Sequence, residues 1–372
     1  MPTPNLFPAL SAFVAFARFA PPQPVHTFFR STAYKLRPPR PRPHLCAITR
    51  AQDDLLARGL AVPRQRAGLL REHRFGGVPT IVLGGFVPDS TEQVFLLRGL
   101  LLRHGSVYYF NYARDGFSPA LICAQLDDLV EELNAIHGQR PVIFAVSFGV
   151  GLALEWLRRT RAAGRSPELA GLVFVSPVAC AADIVTPGEP KPSTLIGRAL
   201  KPYLDAGGRV EPTAIEKSRA IFAKMFEAGA QNRTALRTLM TASELRHLRA
   251  AVLGAIQQIG ATGACERVQA LREMPPLSAW SGPARQPLCT APALVLYAEK
   301  ESAALAADSP TRAAFATALA AFFPGGELEI VAAGAGRTPV QHASLIFHYF
   351  EFLPTVAAFY RRLKSGKTRL AA

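Results

Sequence analysis

From residue 78 onward, apolar positions fall into short continuous runs separated by longer stretches with helical spacing. Thr80-Ile81-Val82-Leu83 is one such run, closed by Gly84-Gly85 as a buried strand entering a tight turn would be. The pattern predicts a helix over about Glu92 to Arg103, then an aromatic-rich strand from Ser106 to Tyr112. Ser118-Pro119 opens a helix expected to run to about His137, with proline at the favoured first helical position. Pro141 to Val146 reads as a strand, Gly149 to Arg161 as a helix and Leu169 to Val175 as a further apolar strand. Strands alternating with helices imply a mostly parallel, doubly wound α/β sheet covered on both faces.

The regularity fades between Ala182 and Gln286, where helical stretches (Thr213 to Ala228, Ser243 to Gln258, Cys265 to Arg272) meet at Pro- and Gly-rich joints. Strand patterns return at Ala291 to Tyr297 and Glu327 to Ala332. A last helix is expected from Ala343 to Leu353, broken by Pro354 and continued to about Leu363. No internal repeat is present.

The first fifty residues are different in kind, with ten prolines, seven basic residues and no acid. Pro21-Pro22-Gln23-Pro24 and Arg37 to Pro43 read as extended or linker segments rather than helix. The apolar stretch at 6–20 is cut by Pro8 and Arg18 and lacks a basic lead-in, which argues against a secretory signal. Net charge is +15 across 372 residues, which admits an anionic partner such as a membrane surface. Arg-rich patches without aromatic interleaving argue against a nucleic-acid module. The five scattered cysteines form no CxxC pair and no zinc-type spacing, so a reducing, cytoplasmic setting without a metal is expected. No dinucleotide or phosphate-loop fingerprint continues from Gly149-x-Gly151, and no cofactor is expected.

The segment that carries chemistry is Val142-Ile143-Phe144-Ala145-Val146-Ser147-Phe148-Gly149-Val150-Gly151, which reads as strand, tight turn and helix. A serine at the crest of such a turn is pushed out above the sheet, and small neighbours such as Ala145 and Gly149 relieve the crowding. The helix beginning after Ser147 points backbone N–H groups and a positive dipole end at developing negative charge.

Over about residues 78–178 and 290–353 the chain resembles the α/β-hydrolase superfamily. The resemblance implies an α/β-hydrolase fold with a helical cap insertion and makes Ser147 the nucleophile of a G-x-S-x-G elbow whose first glycine is Ala145. It implies an oxyanion hole from the N–H of Phe148 and one from Phe86 or Gly85, in a loop where Gly84 stands in place of the histidine of many members. The family's histidine often sits in a G-x-G-H loop after the last strand; here Gly334-Ala335-Gly336-Arg337 puts arginine there. His342, five residues on, is the expected base, with His348 assigned to the final helix as a core or surface residue. Glu301 falls on the family's acid position, with Glu299 the near alternative and Asp183, after the preceding strand, a third.

The expected organisation is a basic proline-rich arm (1–50), hydrolase core (51–181), helical cap (182–287) and hydrolase core (288–372). The expected function is a serine hydrolase cleaving a carboxylic ester or thioester through an acyl-enzyme, with an apolar acyl chain among cap residues such as Leu195, Ile196, Leu204, Ile221, Phe222, Met225 and Phe226. An acyltransferase on the same residues and a non-catalytic binding protein of the same fold are the alternatives. The arm is expected to touch anionic membrane surfaces weakly.

Overall fold

A computed structural model describes residues 22–36, 40–75, 77–205, 211–230, 233–280 and 286–364. The apolar stretch at 6–20 and residues 37–39 of the basic proline segment lie outside these. The strands are β1 (Arg42–Pro43), β2 (Gly68–Glu72), β3 (Thr80–Leu83), β4 (Val107–Asn111), β5 (Val142–Val146), β6 (Gly171–Val175), β7 (Ala293–Ala298) and β8 (Gly326–Val331). They form one sheet in the order β1-β2-β4-β3-β5-β6-β7-β8. β4, β3 and β5 to β8 run parallel, while β2 and β1 join antiparallel at one edge.

The helices are α1 (Pro22–Leu36), α2 (Arg50–Ala57), α3 (Pro119–Glu131), α4 (Phe148–Ala162), α5 (Leu195–Asp205), α6 (Pro212–Ala230), α7 (Arg233–Leu239), α8 (Ala242–Gln258), α9 (Ala261–Glu273), α10 (Pro310–Phe322) and α11 (Tyr349–Lys364). The central strands are apolar throughout because both faces are covered. Ile81, Ile143, Leu172 and Val295 feed one core with Leu126, Trp156 and Phe315 of α3, α4 and α10. Val82, Phe144, Val173 and Leu294 feed the other with Phe352 and Val356 of α11. Helices α5 to α9 all lie in the connection between β6 and β7.

Several expectations are corrected. Pro22 and Pro24 begin helix α1 rather than an extended segment, because the first helical turn needs no backbone N–H partners there. The end of the arm belongs to the sheet: Arg42 and Pro43 pair with β2 at its edge, where a missing donor is tolerated. The helix over 92–103 is two single turns, Ser90–Gln93 and Arg98–Leu101. The Ser90 and Gln93 side chains of the first turn are bonded to the loop after β3. The third helix closes in a π-turn at Glu132–Ile136. The final helix starts at Tyr349, not at residue 343, since Ala343 has φ 50° and cannot belong to a right-handed helix. Pro354 lies inside α11 rather than breaking it; Phe352 and Val356 on either side are fully buried and hold the helix to the sheet. Strands β1 and β2 and helices α2 and α10 have no counterpart in the sequence pattern read above.

The parallel strands place the loops after β3, β5, β6, β7 and β8 along one edge, the carboxyl ends where open α/β sheets bind ligands. Gly149 permits the close approach of two of these loops, because a Cβ there would run into the carbonyl oxygens of Leu83 and Gly84. Gly149→Ala is expected to cost about 3 kcal/mol by overpacking, measured by chemical denaturation; a loss under about 0.5 kcal/mol would contradict that packing.

Candidate active site

Ser147 sits between β5 and α4 with φ 51° and ψ −119°. Its N–H donates to the Val175 carbonyl (2.8 Å) and its own carbonyl accepts from Val178 (3.2 Å), so strand β6 grips the turn on both sides. The side chain is nearly buried but faces a cavity. His342 Nε2 lies 2.9 Å from Ser147 Oγ. The other ring nitrogen, Nδ1, makes a short hydrogen bond to Glu301 Oε2. An ionised carboxylate can only accept, so Nδ1 carries the proton, Nε2 of the neutral ring is the acceptor, and the Ser147 hydroxyl donates to it.

Glu301 is buried, and its Oε1 accepts from the Ala298 N–H (2.7 Å) and from the Ser176 hydroxyl (2.8 Å). Burial by itself would raise the Glu301 pKa. The charge of His342 and the bonds from His342, Ala298 and Ser176 outweigh burial and hold it below the usual carboxylate value. Ser176 is a site residue that sequence reasoning missed. Its hydroxyl also accepts from the Ala343 N–H (2.9 Å), which ties the acid to the loop carrying the histidine. Its position follows from the strand register, which the sequence does not display: Val146 and Val175 are partners, so Ser176 leaves β6 level with Ser147. Among the described residues, the non-glycine positions with positive φ are Ser147, Ser176 and Ala343, all in this network. Each such position costs on the order of 1–3 kcal/mol and persists only where its surroundings over-determine it.

The loop after β3 lies against the serine: a Cβ on Gly85 would be 3.4 Å from Ser147 Cβ. Its two glycine amides are already used. Gly84 N–H donates to Ser90 Oγ (2.8 Å) and Gly85 N–H to Gln93 Oε1 (2.6 Å). The Gly85 amide, one of those expected in this loop as oxyanion donors, is therefore already engaged. Phe148 begins α4 and has no partner within its helix. Arg267 of α9 anchors the loop from behind, donating to the carbonyls of Phe86 (2.9 Å), Ala113 (2.9 Å) and Tyr112 (3.3 Å). Its guanidinium is buried over the Tyr112 ring, and burial followed by repulsion from Arg114 lowers its pKa to about 10.

The alternative acids are engaged elsewhere. Glu299 Oε1 accepts from the Ala333 and Val340 amides (2.8 and 2.7 Å), framing the histidine loop without reaching the ring. Asp183 is fully buried and accepts from Ala179, Cys180, Ser309 and Thr311, knitting the chain after β6 to the start of α10. Arg337, at the family's usual histidine position, pairs with Glu351 (3.2 Å). His348 precedes α11 rather than lying inside it and bonds Ser344 Oγ (2.9 Å); burial lowers its pKa.

The fold described above is shared with solved esterases. A protein described as an aryl esterase from Burkholderia cenocepacia superposes with TM-score 0.54 at 15% identity, over 81% of this chain and 98% of that one. An esterase from Exiguobacterium antarcticum superposes with TM-score 0.51 at 14% identity, over 79% and 96%. The chain has the α/β-hydrolase fold. No family model matches the sequence, and no curated protein is significantly similar to it.

In this hydrolase fold the helices between β6 and β7 roof the serine. Between roof and sheet lies a cavity of about 840 Å³ lined by Ser147, His342 and apolar side chains including Leu195, Ile196, Phe222, Met225 and Phe226. No helix among the described residues is long and apolar enough to cross a membrane.

Stability supplied by a carboxylate with a lowered pKa is present above its unfolded-state value of about 4.3 and is lost as pH falls through the folded value. Between about pH 6 and pH 3 the wild-type Tm should therefore fall further than that of Glu301→Gln. Parallel Tm profiles would show that the buried pair contributes nothing.

Proposed function

We propose that the chain is a serine hydrolase acting on carboxylic esters or thioesters with an apolar acyl chain. The observation that carries this reading is the continuous line Ser147 Oγ, His342 Nε2, His342 Nδ1, Glu301 Oε2. Ser147 gives its proton to His342 Nε2 as Oγ bonds to the carbonyl carbon, and the carbonyl π electrons move to oxygen. The amides of Phe148 and Phe86 receive that oxyanion, each worth about 3 kcal/mol in the barrier. His342 then passes its proton to the departing alcohol or thiol, the acyl–leaving-group bond breaks, and an ester to Ser147 remains. Water, deprotonated by the same ring, releases the acid and restores the serine. Glu301 holds the ring in the tautomer this needs and stabilises its cation.

The apolar walls of the cavity favour an acyl chain over a polar headgroup as the buried portion of the substrate. Residues 182–287 serve as the cap on this reading. The geometry of the base weighs against a scaffold that lost its chemistry, since His342 approaches Ser147 despite Arg337 standing at the family's usual position.

A fluorophosphonate needs an activated serine and an oxyanion hole but no guess about substrate. Intact mass should show one adduct on wild type and on His348→Ala, none on Ser147→Ala, and at least about 10³-fold slower labelling of His342→Ala. Folded wild type that stays unlabelled, or Ser147→Ala that still labels, would end the assignment.

Helix α1 extends this reading to location. Gln23 reaches the cavity wall, while Arg30 and Ser31 bond Glu244 of α8 (2.5 and 2.9 Å), and Phe28 and Phe29 are exposed. A basic, aromatic helix at the cavity edge fits contact with an anionic lipid surface from which acyl substrates enter. Vesicles containing anionic phospholipid should co-sediment wild type and lose the double variant Phe28→Ser, Phe29→Ser; equal sedimentation of both would remove the surface contact and leave the chemistry standing.

A further inference from the structure

Away from the serine, at the antiparallel edge of the sheet, the fold gathers His44, Cys46 and Glu132 so that their donor atoms all lie within 4.8 Å of one another. His44 Nε2 is 3.0 Å from Glu132 Oε1, and His137 Nε2 approaches the same oxygen at 3.7 Å. We propose that these side chains form a binding site for a thiophilic divalent transition-metal ion of the zinc type, with His44, Cys46 and Glu132 as ligands; His137 lies outside the cluster and would reach the fourth position only by rotating in as the ion binds. This site is independent of the reaction at Ser147.

Four features support it. The donor set is the kind that zinc selects: imidazole, thiol and carboxylate rather than carboxylates alone. Metal–ligand bonds of 2.0–2.3 Å in a tetrahedron set neighbouring donors about 3.3–3.7 Å apart; the His44–Glu132 separation is 3.0 Å and all three donors fall within 4.8 Å, so a bound ion would draw the thiol in by a small movement. The backbone presents the groups as chelating pairs. His44 and Cys46 follow β1 two residues apart, and the His44 N–H is held by the Leu69 carbonyl (2.8 Å). Glu132 and His137 are brought into register by the π-turn, whose wider winding lets the His137 N–H bond the Glu132 carbonyl (3.3 Å). Such turns are rare and concentrate at functional sites.

The fourth feature is support from outside the cluster. The second carboxylate oxygen of Glu132 accepts from the Ala47 N–H (2.6 Å), which leaves Oε1 aimed at the two imidazoles. The His44 ring is steadied edge-on by Tyr108 (centroids 5.1 Å apart). Arg71 on β2 bonds His73 and lies over the Tyr108 ring, and its positive charge, which is felt at His44, disfavours protonation of the His44 ring. Glu132 and His44 are nearly covered while His137 is 39% exposed, which leaves an entry path from that side.

Binding would cost Cys46 its thiol proton, released to solvent, and would take both histidines neutral and Glu132 ionised. The ion would add a further tie between the segment before β2 and the end of α3, which already meet through the Glu132, Asp128 and Glu131 carboxylates. It would act as a staple for that segment.

The test uses the reduced full-length chain, stripped with chelator and titrated with Co2+ and then Zn2+. One equivalent of Co2+ should produce a thiolate-to-metal charge-transfer band that Zn2+ bleaches and Cys46→Ser abolishes, with the other four cysteines unchanged. His44→Ala should weaken binding at least about tenfold. Zn2+ at about 100 times its Kd should raise the wild-type Tm by roughly 3 °C. Should Cys46→Ser fail to fold, protection of wild-type Cys46 from iodoacetamide by Zn2+, read by peptide mass, gives the same answer. Absence of the band in folded wild type, a band that survives Cys46→Ser, or alkylation of Cys46 that Zn2+ does not slow would each overturn the site.

Discussion

The buried carboxylate of Glu301 is the constraint on which the rest of the site depends. Three donors converge on it from three separate strand ends: the Ala298 amide at the end of β7, the Ser176 hydroxyl after β6 and the His342 ring after β8. A carboxylate this deep stays charged only if such partners replace the water it has lost. Its ionisation therefore requires the three loops to be where they are, and their positions in turn aim His342 at Ser147. Ser176 makes the arrangement rigid, since one hydroxyl serves both the acid and the backbone beside the histidine.

The sheet supplies the frame for that convergence. Parallel strands present all their carboxyl ends along one edge, and β5, β6 and β7 are successive strands, so Ser147, Ser176 and Glu301 follow the ends of three adjacent strands, each about one strand spacing from the next. What remains is local strain. Ser147, Ser176 and Ala343 all take positive φ without being glycine, and the bonds around them hold them there. Glycine is reserved for the place where a side chain has no room, at Gly149 against the carbonyls of the loop after β3.

The helices between β6 and β7 have two tasks. Their apolar residues roof the cavity, and Arg267 of α9 reaches through to hold the carbonyl of Phe86. A guanidinium bound by carbonyls and aromatic faces, without a carboxylate of its own, is costly to bury. It fixes the loop after β3, which couples these helices to the backbone beside the serine. The opposite edge of the sheet has its own polar centre at Glu132, where the segment carrying β1 meets α3.

Much of this was legible in the sequence, for identifiable reasons. Continuous apolar runs at 80–83, 142–146 and 171–175 can only be strands buried on both faces, and the small residues around Ser147 mark a crowded turn, so the parallel core and the serine are local properties of the chain. The final helix and the arm were harder, because Pro354 and the prolines at 22 and 24 read as breaks when considered alone; burial of α11 against the sheet and the free amides of a first turn remove that objection. Which acid reaches His342 could be ranked in the sequence only through the resemblance, which put Glu301 first. Glu299, Glu301 and Asp183 are all carboxylates beyond a strand end, and only the fold turns one toward the ring while giving the others to backbone amides and hydroxyls. The same holds for Ser176, for the occupied amide of Gly85 and for the meeting of His44, Cys46 and Glu132. Secondary structure and a strained turn are written in neighbouring residues. Contacts between groups far apart in the chain exist only once the sheet has closed the distance between them.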